Sequence, residues 1–487
     1  MSNFKIVKKK GLMRAGVLKT AHGEVKTPVY MPVGTQGTVK ALSPDDLKTA
    51  GAQIILGNTY HLSLRPGSKL IAEMGGLQKW SKWEGPILTD SGGFQAFSLG
   101  AMIEHGVRKV PRKVEEKRGG GSGKNNEVLR LASLAQHDKS NSEIIFDLSK
   151  NKEDTQRGEG SANKYYRYDT VNESYNNQIV DNREKGREKN VEKGRVKSLL
   201  SVIQSDGIMF KSHLDGSPHL LTPEGSVGIQ LEIGSDIVLV LDELLSPLHS
   251  PAYVKESLER THDWEIRSQK FFKQNLASGT NPGAQLFGIL QGVYDQGIRE
   301  GEARWIAEQG FDGVSIGGSM GTSEYWGGLE TDWSATKSIY ETIGWVTPLL
   351  PEDLPRHALG IGEVVDFFEC IERGADMFDC VSPTRRARNG SLYISPENGG
   401  KVGNKFVISL QRAEFAKDPL PIDPGCKCYT CQNFSRSYLR HLYVAGELLY
   451  FRLASIHNIY FMVGLVDRIR ESIIDDQFEL LKRKWLN

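Results

Sequence analysis

The stretch GADMFDCVSPTRRARNG, residues 374–390, sets a short apolar run against a carboxylate and then a crowd of cations. Met377–Asp379 reads as a buried strand that ends on an aspartate, and Arg385, Arg386 and Arg388 fall in the turn beyond it. Taken alone, Asp379 is a strand-end carboxylate paired with a neighbouring arginine. Seven further apolar runs of the same kind change that reading: Val29–Val33, Ile54–Gly57, Ile87–Thr89, Ile237–Leu241, Leu286–Leu290, Val314–Ile316 and Ala358–Gly360. Helix signals lie between them. SPDDLKTAG offers Ser43 as a cap, Pro44 in the first turn and Gly51 as the stop. DQGIREGEARWIAEQG places Ile298, Trp305 and Ile306 at roughly helical spacing. Strands alternating with helices, eight times over, predict an α/β fold of the (β/α)8 TIM-barrel type. A doubly wound open sheet is the competitor, but the chain has no GxGxxG turn to support it.

In such a barrel the chemistry gathers where the strands end. Three of these ends carry aspartates, Asp90 in TDSGGFQ, Asp242 in LDELL and Asp379 in FDCVSP. Gln291 in QGVYD and the pair Gly317 and Gly318 in GGSMG would join them at the same mouth. That constellation favours a working site over isolated ion pairs.

Composition limits the rest. With 487 residues the chain is too long for one ordinary core. Its formal net charge of +1 makes any nucleic-acid surface a local patch. The N-terminal MSNFKIVKKKGLM has no apolar core or cleavage site, so no signal peptide is expected, and no apolar run reads as a membrane span. Residues 105–206 are rich in Lys, Glu, Asn, Gly, Ser and Arg, as in KRGGGSGKNNE, and are expected to be a mostly disordered insertion. Three of the five cysteines, Cys426, Cys428 and Cys431, lie in GCKCYTC. Their spacing suits a structural zinc with one more ligand. His457 in RLASIHNIY is the preferred fourth ligand and His441 in YLRHLY the alternative; Cys370 and Cys380 are expected to pack in the core. The expected organisation is a first barrel part over 1–104, the insertion, the rest of the barrel over 207–400, and a zinc subdomain with C-terminal helices over 401–487.

With these residues assembled, the chain resembles the tRNA-guanine transglycosylases, the queuine tRNA-ribosyltransferase family. The matching stretches include TPVYMPVGTQGTVKALSPDDL, GAQIILGNTYHLSLRPG, GPILTDSGGFQAFSLG, GSDIVLVLDE, FGILQGVY, GFDGVSIGG, GADMFDCVSPTRRARNG and the cysteine region. The resemblance implies a TIM barrel with an inserted zinc-binding subdomain. It also implies exchange of guanine for a 7-deazaguanine base at the wobble position of GUN-anticodon tRNAs. Asp379 would be the nucleophile, forming a covalent ribosyl ester, and Asp90 the general acid and base. Asn58 would orient the carboxylates. Ser91, Phe94, Asp242, Gln291, Gly317, Gly318 and Leu359 would bind the base, Phe94 and Leu359 by stacking. Arg385 and Arg388 would meet the anticodon loop, with Arg386 merely exposed to solvent. One zinc per chain, a cytoplasmic location and a homodimer are family expectations.

Two departures from the family pattern stand out. One is the insertion itself. The other lies at the base pocket, where DELL puts Leu244 in place of a cysteine and GGSMGTSE displaces the usual glutamate to Glu324. A leucine gives an ammonium no acceptor, which favours queuine over its aminomethyl precursor. Two other readings stand beside the transglycosylase: a non-catalytic accessory subunit that binds tRNA, and a retaining glycosidase. The retained aspartates and cysteines oppose the first, and TRRARNG with a zinc knuckle opposes the second.

Overall fold

A computed structural model describes residues 3–96, 201–245, 249–318 and 339–487. The chain enters through a three-stranded antiparallel sheet that the sequence reading did not foresee: β1 (Phe4–Lys10), β2 (Met13–Thr20) and β3 (Gly23–Thr27). It continues directly into a closed parallel barrel. The barrel strands are β4 (Val29–Gly34), β5 (Ile55–Gly57) and β6 (Ile87–Thr89). A small antiparallel sheet intervenes, of β7 (Ser201–Gln204), β8 (Gly207–Lys211) and β9 (Pro218–Leu221). The barrel then resumes with β10 (Ile237–Leu239), β11 (Gln285–Leu290), β12 (Gly313–Ile316), β13 (Arg356–Ala358) and β14 (Met377–Cys380). β14 closes on β4, with Met377 opposite Val29 and Asp379 opposite Met31. A two-stranded ribbon, β15 (Ser391–Tyr393) with β16 (Val407–Ser409), and the C-terminal helices follow.

All eight expected barrel strands are present. One is displaced: the expected Ala358–Gly360 is Arg356–Ala358. Arg356 and His357 are buried polar residues, and their polarity hid the start of the strand. The helix after β4 begins as expected. Ser43 accepts from the amide of Asp46, Asp46 accepts from the amide of Ser43, and Gly51 at φ +80° ends it. The helix Gln296–Glu308 is likewise capped by Asp295, which accepts from the Ile298 amide at 2.8 Å. Of the expected insertion, only 201–206 is described, and the β7 strand lies there.

The floor of the barrel, where the strands begin, uses one device repeatedly. Gly234-Ser235-Asp236, Gly310-Phe311-Asp312 and Gly374-Ala375-Asp376 each follow a helix and open the next strand, and each glycine has positive φ. Each aspartate carboxylate accepts from an amide at the start of the preceding barrel strand, Ile87, Leu286 or Arg356, at 2.8–2.9 Å. Each aspartate amide in turn donates to the carbonyl of that same residue at 2.8–2.9 Å. Gly51-Ala52-Gln53 repeats the pattern with an amide, Gln53 accepting from Lys26 at 2.8 Å. Numbered round the ring, the aspartate clasps join strands three to four, five to six and seven to eight, while Gln53 ties the start of strand two to β3, which leads into strand one. Asp376 also holds the buried Arg14 of β2 through both oxygens, at 2.9 and 2.5 Å, which fastens the N-terminal sheet to the floor. Leaving either charge alone there would cost about 3–5 kcal/mol.

The helix Leu448–Ile474 is long and apolar enough to cross a membrane by length and composition, a feature the sequence reading missed. It is 72% buried over that window, as a core helix is.

Candidate active site and metal centre

The opposite end of the barrel gathers the strand-end residues. Asp379 ends β14, and its Oδ1 accepts from the Gly360 amide and from His357 Nε2, both at 2.9 Å. His357 is fully buried, whereas the Asp379 side chain keeps 13% of its surface open. Asp90 follows β6. Its Oδ2 accepts from Asn58 Nδ2 at 2.5 Å and its Oδ1 from the Thr59 amide at 2.9 Å. Asn58 is held in turn as the cap of the helix Thr59–Leu64, accepting from the His61 amide at 3.0 Å. Burial pushes the Asp90 carboxyl up to about 7 despite these donors, and the charge of Asp379 adds to the rise. Asn58 is therefore an orienting residue for Asp90.

Asp242, after β10, sits deeper. Gln291 Nε2 donates to its Oδ2 at 2.6 Å and Ser91 Oγ reaches its Oδ1 at 3.5 Å. Burial pushes this carboxyl up to about 6. The oxygen of the Gln291 amide is buried and has no partner among the described residues. It lies against the glycine pair: a Cβ on Gly318, which has φ +73°, would meet it at 2.3 Å. The positive φ and that close approach together call for glycine at position 318. Leu359 packs beside Gly317, and Phe94 stands 44% exposed at the rim. The loop beyond Gly318, including Glu324, lies outside the described residues.

The arginines after Asp379 occupy the helix Ser382–Arg388. Arg385 is exposed. Arg388 is half-buried beside it with one guanidinium nitrogen unpartnered among the described residues, and burial and Arg385 together lower its proton affinity. Arg386 is not the solvent-exposed cation expected. It donates to Glu363 Oε1 at 2.5 Å and to Ser382 Oγ at 3.1 Å, and lies over the Tyr393 ring. Helical spacing turns it toward the ribbon, away from its two neighbours. Cys370 and Cys380 pack as expected; burial raises both thiols, Cys380 to about 12.

Cys426, Cys428, Cys431 and His457 bring one ligand atom each within 4.8 Å of one another. His457 Nδ1 lies 3.9, 3.5 and 3.3 Å from the three sulfurs in that order. Its Nε2 donates to the Tyr393 carbonyl at 2.7 Å, which leaves Nδ1 free of a proton to bind a metal. His441 is not in the cluster. The donor set and its spacing fit a metal ion with no coordination position left over.

A model of the family described as queuine tRNA-ribosyltransferase matches residues 9–117 and 190–487. The chain belongs to that family. It is 41% identical over 474 residues to a relative from Archaeoglobus fulgidus, covering 97% of this chain and 96% of the other. A queuine tRNA-ribosyltransferase from Roseiflexus sp. is 39% identical over 479 residues, covering 97% and 96%. Another from Herpetosiphon aurantiacus is 36% identical over 478 residues, covering 98% and 90%. The chain is thus an enzyme of the tRNA-guanine transglycosylase class.

Two residues of the site escaped the sequence reading. His357 lies in RHALG, upstream of where the strand was expected to begin. Arg299 lies on a helix that reads as amphipathic, yet it is fully buried beneath the glycine pair. It donates to the carbonyls of Gly317 at 2.7 Å and Val293 at 2.8 Å, and so fixes the glycine turn. No sequence signal separates Arg299 from a solvated helix arginine.

Proposed function

We propose that the protein replaces guanine at the wobble position of GUN-anticodon tRNAs by a 7-deazaguanine base through an ester on Asp379. One observation carries this reading: an accessible, hydrogen-bonded carboxylate at Asp379 shares the mouth with a carboxyl at Asp90 that burial holds near 7. The first suits a nucleophile and the second a proton carrier. Asp379 attacks the anomeric carbon of the ribose as the bond to guanine breaks, and Asp90 protonates the departing base. The incoming base then gives Asp90 a proton and displaces the carboxylate. Two displacements at one carbon restore its configuration, as in retaining glycosidases.

Asp242 accepts from the ring N–H and exocyclic amine of the base, while Ser91, Gln291 and the backbone of Gly317 and Gly318 line the same pocket. Phe94 and Leu359 are apolar surfaces for its two faces. Arg385 and Arg388, a cation pair without a carboxylate partner among the described residues, suit the phosphates of a single-stranded loop. Zinc is the ion that three thiolates and an imidazole take, bound by Cys426, Cys428, Cys431 and His457. When bound it ties the cysteine loop to the helix Leu448–Ile474; the chemistry is that of the aspartates. Leu244, half-buried two residues after Asp242, supports queuine as the incoming base. The domain limits rest on composition and motif positions, and the cytoplasmic location and the homodimer on the resemblance.

The test is a denaturing gel of enzyme incubated with tRNA. Wild type should give a covalent adduct that labelled guanine releases, and Asp379→Asn should give none. An adduct that persists in Asp379→Asn moves the nucleophile elsewhere. The accessory-subunit reading requires tRNA binding with no adduct from the wild type.

A further inference from the structure

Ser315, His357 and Asp379 form a line across three adjacent strands, β12, β13 and β14. Ser315 Oγ is 3.3 Å from His357 Nδ1, and His357 Nε2 is 2.9 Å from Asp379 Oδ1. Ser315 and His357 are both fully buried. An ionised carboxylate only accepts, so Nε2 must carry a proton and donate it. The serine hydroxyl can then donate to Nδ1, which fixes the neutral tautomer. The Gly360 amide donates to the same Oδ1. Both donors therefore converge on one oxygen, and Oδ2 accepts from none of the described residues.

We propose that His357 is a positioning residue that selects Oδ2 of Asp379 as the attacking oxygen, with Ser315 setting its tautomer. The inference rests on the reading of Asp379 as nucleophile. As the Oδ2 lone pair forms the bond to the anomeric carbon, the bond from that carbon to the base nitrogen breaks. Its electron pair leaves with the base, which takes a proton from Asp90. Oδ1 becomes the ester carbonyl and stays between the His357 and Gly360 donors. In the second displacement the electron pair of the ester bond returns to the carboxylate, and part of the charge reappears on Oδ1. Donors already in place there stabilise that charge as it develops. His357 thereby serves formation and breakdown of the ester through one hydrogen bond, and makes no contact with the base.

The experiment compares His357→Phe, His357→Gln and Ser315→Ala in full-length enzyme. It uses single-turnover adduct formation with tRNA and steady-state guanine exchange, after melting temperature and metal content show each variant folded. Losing a hydrogen bond to a charged group predicts a fall of about 10- to 100-fold in adduct formation and kcat for His357→Phe, with KM for tRNA within about threefold. The Gln amide reaches the place of Nε2, so His357→Gln should recover most of the rate. Ser315→Ala should fall between wild type and His357→Phe. A folded His357→Phe with wild-type kcat, a defect confined to KM, or a Gln variant as slow as Phe would each overturn the proposal. Asp379→Asn, run alongside, separates this from the parent reading. If it still forms the adduct, the nucleophile assignment fails. If it forms none while His357→Phe is unimpaired, only the role of His357 fails.

Discussion

At the scale of single residues, environment divides one residue type into several roles. Asp90, Asp242 and Asp379 all end barrel strands. Burial pushes Asp90 to about 7 and Asp242 to about 6, whereas Asp376, on the floor, is an ion-pair partner. For Asp90 the sign of the linkage is definite. Its folded value lies above its ordinary 3.8, so its contribution to stability is complete below about pH 4 and lost as pH rises through about 7. Asp90→Asn cannot ionise. Its melting temperature should gain on that of wild type between about pH 4.5 and 7.5, while guanine exchange falls about 10²- to 10⁴-fold. Parallel melting curves across that range would contradict the buried-carboxyl account. The three strand-end aspartates and Gln291 were legible because a strand that stops on a polar group is unusual. His357 and Arg299 were not, because burial of a polar side chain inside a ring or beneath a helix leaves no mark in local periodicity.

At the scale of elements, the cysteine loop and the helix Leu448–Ile474 depend on each other. The loop supplies three sulfurs and the helix one imidazole, whose other nitrogen is committed to the β15 carbonyl of Tyr393. Purified protein should contain one zinc per chain by elemental analysis. Cys428→Ala should lose that metal and with it solubility, because ligand loss releases the loop. His441→Ala should keep it. Full metal content in His457→Ala would return the fourth ligand to another residue. The spacing of the cysteines made this centre readable, but two histidines competed for the last place, and only the packing of the helix decides between them. The floor clasps were also written in the sequence, as GSD, GFD, GAD and GAQ. A three-residue recurrence has no meaning until the partner amides are seen across the strands.

At the scale of the whole chain, the family match stops at residue 117 and resumes at 190. No residue assigned to the site lies between these limits. Replacing residues 118–189 by a short Gly/Ser linker should leave guanine exchange within about threefold of wild type, well inside the effect of one lost charged hydrogen bond. A hundredfold loss in folded protein would give that segment a part in the chemistry. The barrel itself was legible because eight apolar runs separated by helix signals admit few arrangements. The N-terminal sheet was not, since its strands alternate lysines with apolar residues and resemble a solvated leader.

The clasps on the floor join strands three to four, five to six and seven to eight, and Gln53 ties strand two to β3, just ahead of strand one. Hydrogen bonds nearer the mouth join other seams. Asn58 to Asp90 links two to three, Gln291 to Asp242 four to five, Ser315 to His357 six to seven, and the Tyr30 hydroxyl to the Cys380 carbonyl eight to one. The ring is laced alternately at bottom and top. From strand three to strand eight, each strand is tied to one neighbour at its start and to the other farther along, so none of these can slide without breaking a tie. Most of the upper laces are also the groups proposed to do the chemistry or hold it in place. Deleting one of them slackens a seam of the hoop as well as emptying a position in the site.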